Sequence, residues 1–245
     1  KTYDELTASE RTSLVSYWPL DEGVKALSFD GDNDIVDFGN STSLQLAGNT
    51  MSVSAWVKFD VLNNWAPIIG NSSTMDWTNG WSLLYNGGFF RFSINHYSYN
   101  LAKTAYTSTK VWTHVVGTYD GTTMKIYVDG VVGDTTDSYS DDIDNLTNTI
   151  VGRNTGENNF LEAGIAQIAI YNIGLSASEI LTQYNLGVDG DYSSDSGLAG
   201  YWKMDNASTI TDLSGNGNTG TVDGATLVDG AVLDKTSNNN DGAMN

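Results

Sequence analysis

Residues 111–134, VWTHVVGTYDGTTMKIYVDGVVGD, hold short runs of alternating apolar and polar residues broken by Asp-Gly pairs at Asp120-Gly121 and Asp129-Gly130. Asp-Gly between such runs marks a tight hairpin, because the favoured turns need a positive φ that Asp and Gly tolerate. A period of two sends successive side chains to opposite faces of a strand. The stretch reads as an antiparallel meander.

The same texture extends both ways along the chain. MSVSAWVKF (51–59) sets Val53, Ala55, Val57 and Phe59 on one face and Ser54, Trp56 and Lys58 on the other. GWSLLYNGGFFRFSIN (80–95) reads as two strands around Asn86-Gly87-Gly88, and ALSFDG (26–31) and DIVDFG (34–39) flank a polar turn. NTIVG (148–152) and GIAQIAIYN (164–172) close the set. Ser176 with Glu179, and Thr7 with Glu10, have the spacing of a helix capping box. The expected fold is all-β: a two-sheet antiparallel β-sandwich, or jelly roll, with one short helix after the last strand.

Composition narrows the class. The 245 residues, 40% hydrophobic, suffice for one sizeable core and a smaller second unit. No apolar run approaches the roughly 20 residues of a spanning helix, so no membrane insertion is expected. A net charge of −19 argues against nucleic acid as partner, since phosphate binding needs a basic face. It suits calcium, or it serves solubility alone. The absence of cysteine excludes disulfides and thiol chemistry. An acidic, cysteine-free chain fits an extracellular, cell-surface or virion-surface location.

The order YWPLDE (17–22), ALSFDG, SVSAWVKF, GWSL, WTHVVGTYDG, KIYVDG, IVGR and IAIYNIGLSASEI resembles the laminin-G-like, concanavalin A-like jelly-roll family over most of residues 13–187. That resemblance implies the sandwich. It leaves the ligand open, because the family hosts lectins, adhesion modules, accessory domains of secreted enzymes and phage structural proteins. Two departures stand out. The family's D-x-S-G-N-G-N-x-G segment is missing between YWPLDE and ALSFDG, and occurs instead at 212–220 as DLSGNGNTG. Ala166 and Gln167 stand where the family usually has acidic residues, which weakens a calcium site there.

LTASERTSLVSYWPLDEG (6–23) is echoed by LSASEILTQYN (175–185) and GLAGYWKMDNA (197–207). The expected organisation is the tail of a preceding unit or a linker helix (1–12), a jelly-roll domain (13–187), a polar linker (188–197), and the opening strands of a second, incomplete module (198–245). A tandem array is the favoured reading. Completion of the first sandwich, or of a neighbouring copy by strand addition, are the alternatives.

Catalysis finds little support. There is no nucleophile elbow, His114 falls inside an alternating strand, and no strand carries the paired acids of a sandwich-fold glycosidase. The chain reads as a non-enzyme. Asp30, Asp32 and Asp34 alternate as in the opening of a calcium loop, but Ser41 stands where the bidentate Glu belongs. They are either metal ligands or a solvated acidic turn. Analogy with the rim site of pentraxins pairs the loop holding Asp76 and Asn79 with the loop holding Glu157, Asn158 and Asn159. Trp65 and Trp77, with Tyr97 and Tyr99, lie off the alternating faces beside amides and carboxylates. That set suits stacking and hydrogen bonding to a sugar, or packing alone. The leading expectation is a recognition module binding a glycan or cell-surface polysaccharide through rim loops, with calcium as a candidate cofactor and binding without it the alternative. The alternative is a building block of a phage virion or surface filament, joined to neighbouring copies by its terminal strands.

Overall fold

The computed structural model describes residues 7, 9–10, 24–46, 48–72, 79–96, 101–144, 147–153 and 159–229. The strands are β1 (Lys25–Asp30), β2 (Ile35–Asp37), β3 (Met51–Phe59), β4 (Ala66–Asn71), β5 (Trp81–Asn86), β6 (Phe89–Ile94), β7 (Leu101–Ala105), β8 (Thr113–Tyr119) and β9 (Thr123–Val128). They continue with β10 (Val131–Val132), β11 (Asp137–Ser138), β12 (Ile150–Val151) and β13 (Glu162–Tyr171). A helix, α1 (Ala177–Leu186), precedes β14 (Leu198–Lys203), β15 (Thr209–Ile210), β16 (Gly220–Asp223) and β17 (Thr226–Asp229). One sheet runs β10-β9-β8-β3-β13-β1-β17, with β11 on β9 and β14 on β13; the other runs β15-β16-β2-β12-β4-β5-β6-β7. The fold is the expected all-β sandwich.

The alternation read from β3 is the one observed. Val53, Ala55, Val57 and Phe59 enter the core between the sheets, where they meet Leu83, Tyr85, Phe90 and Phe92 from β5 and β6. The sheets approach closely at Gly117, where a Cβ would lie 2.3 Å from the Phe92 ring. The opposite face of β3 is covered as well. Trp56 packs with Ala166 and Val188, and Val116, Tyr171, Ile180, Tyr192 and Tyr201 form a neighbouring cluster under α1. Ser176 caps α1 with Glu179 in a reciprocal box, and Gly187, at φ 80°, ends it.

Two expectations about organisation are corrected. Residues 188–197 are not a loose linker. Val188 and Tyr192 are buried, and Gln167 Nε2 donates to the carbonyls of Val188 (2.5 Å) and Gly190 (3.0 Å). The described part of 198–245 is not a separate module either: β14 pairs with β13, β16 with β2, and β17 with β1. The physical reason is that β1, β2 and β13 each offer backbone donors and acceptors along an edge, and the later strands pair with them. Residues 1–6, 11–23 and 230–245 lie outside the described residues.

Candidate functional site

The motif at 212–220 acts as a clasp. Asp212 Oδ1 accepts from Tyr201 N (3.1 Å) and Ser214 N (2.9 Å), while its Oδ2 accepts from Asn218 N (2.8 Å). Asn216 Nδ2 donates to Leu198 O (3.0 Å), and Asn218 Nδ2 to Ala199 O (2.9 Å), pairing two carbonyls of β14. Asn218 O takes the Trp202 indole N–H (2.6 Å), and its Oδ1 accepts from Ser41 and Ser43. Short amide and carboxylate side chains are needed here because they mimic backbone partners in a tight turn. The clasp holds β16 against β2.

That pairing builds a cleft of about 490 Å³ on the outward side of the second sheet, lined by Ile35, Asp37, Gly39, Thr219, Thr221 and Asp223, with Phe38 at its base. The register sets Thr221 beside Asp37 and Asp223 beside Ile35. Because β2 alternates, Val36 and Phe38 face the core while Ile35 and Asp37 face the cleft. Asp37 is held in place: Oδ1 accepts from Gly39 N (2.7 Å) and Oδ2 from Asn148 Nδ2 (2.8 Å). Thr219, Thr221 and Asp223 are exposed. Hydroxyls and carboxylates over a part-apolar floor, in a space of this size, match a small polyhydroxylated ligand.

Of the residues singled out from the sequence, Asp30, Asp32, Asp34, Trp65, Asn79 and Asn159 are described, and none of them lines the cleft. Trp65 directly precedes β4, with φ 59°, and is half-buried beside Asn64, whose Oδ1 accepts from Gly87 N (3.0 Å). Asn79 sits before β5 and accepts from Ser72 Oγ (3.0 Å). Ala66 pairs with Tyr85 and Asn71 with Trp81, so Trp65 and Asn79 lie beyond opposite ends of the paired span. The β1–β2 turn shares the Trp65 end, since Asp30 pairs with Glu162 at the start of β13. Asp76, Trp77, Tyr97, Tyr99, Glu157 and Asn158 lie outside the described residues.

The aspartates at 30–34 hold the turn itself together. Asp32 N donates to Asp30 Oδ1 (2.9 Å) and Asp30 N to Asp34 Oδ2 (2.9 Å). Asp34 is buried against Gly224, whose Cβ would lie 2.1 Å from Asp34 Oδ1. Burial raises its pKa, and Asp30, Asp223 and Asp32 raise it further, against the lowering hydrogen bond from Asp30. Among the described residues no three acidic or histidine side chains converge where an ion could sit.

His114 is fully buried, as its place in the strand implied. Its Nε2 lies 2.8 Å from Ser54 Oγ, and burial pushes its pKa down to about 3. Trp56, Trp81 and Trp202 are buried, and Trp112 lies under the Lys58 ammonium at 5.3 Å.

The sequence reading missed Asp37, Thr219, Thr221 and Asp223. No local pattern marks them, because the cleft comes from two segments more than 180 residues apart. One signal was present: the D-x-S-G-N-G-N segment, absent early in the chain and found late.

The profile described as the concanavalin A-like lectin/glucanases superfamily matches residues 30–181, which leaves out β14–β17. Among solved structures, a candidate carbohydrate-binding protein from Bacteroides ovatus is similar at 16% identity and TM-score 0.66, covering 85% of this chain. This chain spans 60% of that protein's length. The native heptameric SAP-like pentraxin of Limulus polyphemus is similar at 12% identity and TM-score 0.59, covering 86% of this chain and 97% of its own. At such identities the likeness is one of fold. No curated protein sequence matches this one. With the profile spanning well over half of a chain folded as a two-sheet antiparallel sandwich, the chain belongs to the concanavalin A-like lectin/glucanase superfamily.

Proposed function

We propose that the chain is a non-catalytic carbohydrate-binding module, exposed at a cell or virion surface or secreted, that takes a glycan or polysaccharide in the β2–β16 cleft. The cleft itself carries the reading: an open space of about 490 Å³, walled by Asp37, Thr219, Thr221 and Asp223, in a member of a superfamily named for lectins and glucanases. Fixed carboxylate acceptors and hydroxyls recognise sugar hydroxyls without being consumed. Of the described glutamates, Glu10 accepts from Thr7 N (2.7 Å), Glu179 caps α1 and Glu162 accepts from Asn63 Nδ2 (2.6 Å). The building-block alternative drew on unpaired opening strands. The pairing of β14, β16 and β17 within the chain removes that motive.

Affinity electrophoresis against soluble neutral and acidic polysaccharides, in calcium and in chelator, tests the reading. We expect at least one polysaccharide to retard the protein without release of reducing ends. Thr221→Trp, which fills the cleft from an exposed strand position, should abolish retardation and leave the Tm unchanged. Retardation that survives Thr221→Trp would move the site elsewhere, and a blank panel would sink the binding reading.

A further inference from the structure

The β2–β16 ladder sets the polar groups of the cleft in a fixed pattern. Thr221 lies opposite Asp37 and Asp223 opposite Ile35, and all four line the cleft. Asp37 and Asp223 are therefore diagonal neighbours on one face, a spacing of roughly 7 Å in an antiparallel pair. Thr221, beside Asp37 and two residues from Asp223, completes a triangle of acceptors. The two carboxylates differ in freedom. Asp37 is fixed by Gly39 N and Asn148 Nδ2. Asp223 is exposed, and among the described residues no donor meets its side chain.

The surrounding field has one sign. Among the described residues no lysine or arginine lines the cleft. Asp34 lies buried close by; burial first, and then the charges of Asp30, Asp223 and Asp32, raise its pKa. A uronate or sulfate group would bring like charge against Asp37 and Asp223, and a neutral sugar would leave their charge unmatched. A cationic group suits the triangle. A hard divalent ion takes about six to eight oxygens. An ammonium carries three donors, one for each of Asp37, Thr221 and Asp223. Charge-assisted bonds of about 2.8 Å on either side of one nitrogen span most of the gap between the two acids. Ile35 on the wall and Phe38 at the base offer apolar surface to the C–H groups of a sugar ring.

We infer that the cleft selects a sugar bearing a free, protonated amine, an N-deacetylated hexosamine unit of a glycan, with Asp37, Thr221 and Asp223 as its ammonium acceptors. The inference rests on the cleft reading given above and names the class of sugar that the cleft takes.

Calorimetric titration of the full chain at pH 6 tests it, with a glucosamine oligosaccharide and its fully N-acetylated counterpart as the paired probes. The free-amine form should bind about tenfold more tightly, since acetylation removes the charge and two of the three donors. Asp223→Asn, at an exposed strand position, should erase most of that preference with the Tm unchanged, and Asp37→Asn should do the same. Asp60→Asn, an exposed change directly after β3, should leave the preference intact. Equal affinity for the two probes, or tighter binding of the acetylated one, overturns the inference. A loss in Asp60→Asn as large as in Asp223→Asn overturns it too, because the attraction would then belong to the acidic surface as a whole. If neither probe binds while a neutral or acidic polysaccharide does, and Thr221→Trp blocks it, the amine inference falls and the cleft reading stands. A panel blank throughout sinks both.

Discussion

The indole of Trp202 lies on the ring of Phe38, with centroids 3.8 Å apart and planes 18° from parallel. One residue belongs to β14 of the first sheet and the other directly follows β2 of the second. A single stacked pair therefore joins the C-terminal strands to the floor of the cleft. Phe38→Ala should cost about 3–4 kcal/mol, the usual loss for truncating a buried aromatic ring. Urea unfolding should show the cost, and polysaccharide affinity should fall with it because β16 loses its anchor.

Gln167 offers a nearly isosteric test of the packed 188–197 segment. Its amide N–H groups serve the carbonyls of Val188 and Gly190, and its oxygen accepts from Tyr201. Gln167→Glu would aim a buried carboxylate at two carbonyl oxygens. We expect a loss of about 2–4 kcal/mol at pH 7, smaller as the pH falls and the new acid takes up a proton. A thermal-melt series across pH reads both effects.

His114 sets an acid limit. The folded pKa of about 3 lies below the ordinary 6.5, because burial disfavours the charged ring. The unfolded chain then binds the extra proton between those values. Stability is complete above pH 6.5 and falls by roughly 1.4 kcal/mol per pH unit below it, until the folded pKa is reached. His114→Gln should start less stable, having lost ring contacts with Trp56, yet lack this slope. Urea midpoints at pH 7, 6 and 5 for both proteins separate the two contributions.

Asp34 works in the opposite sense. Its pKa is raised above 3.8, chiefly by burial and then by neighbouring aspartates. The folded state holds its proton more tightly, so ionisation costs stability as pH rises through the folded pKa. Asp34→Asn can still accept from Asp30 N while shedding the charge. We expect its Tm at pH 7 to rise by about 1–2 °C. A fall would show that the carboxylate is needed in its charged form.

Local chemistry was legible in the sequence and long-range pairing was not. The alternation of β3 and the capping box of α1 each depend on residues a few positions apart. So does the Asp129-Gly130 turn, with φ 50° and 77°. The buried His114 could be read the same way, from its place in a strand. The split of Trp65 from Asn79 could not, because it follows from the β4–β5 register rather than from composition. Nor could the ring of donors around Asp30 and Asp34, since a self-bonded acidic turn and a metal loop share the same letters. The cleft was furthest from reach, because its two walls are distant in the chain and only pairing reveals them.

The β2–β16 ladder also has a bearing on the order in which the protein can be made. Translation delivers β2 early, yet its outer partner emerges more than 180 residues later. Until then β2 is an edge, and β13 has half of one flank open. Such distant pairings slow folding, because the chain must give up much of its freedom before those contacts reward it. The nascent sandwich therefore keeps two unfinished borders until β14–β17 emerge and cover both.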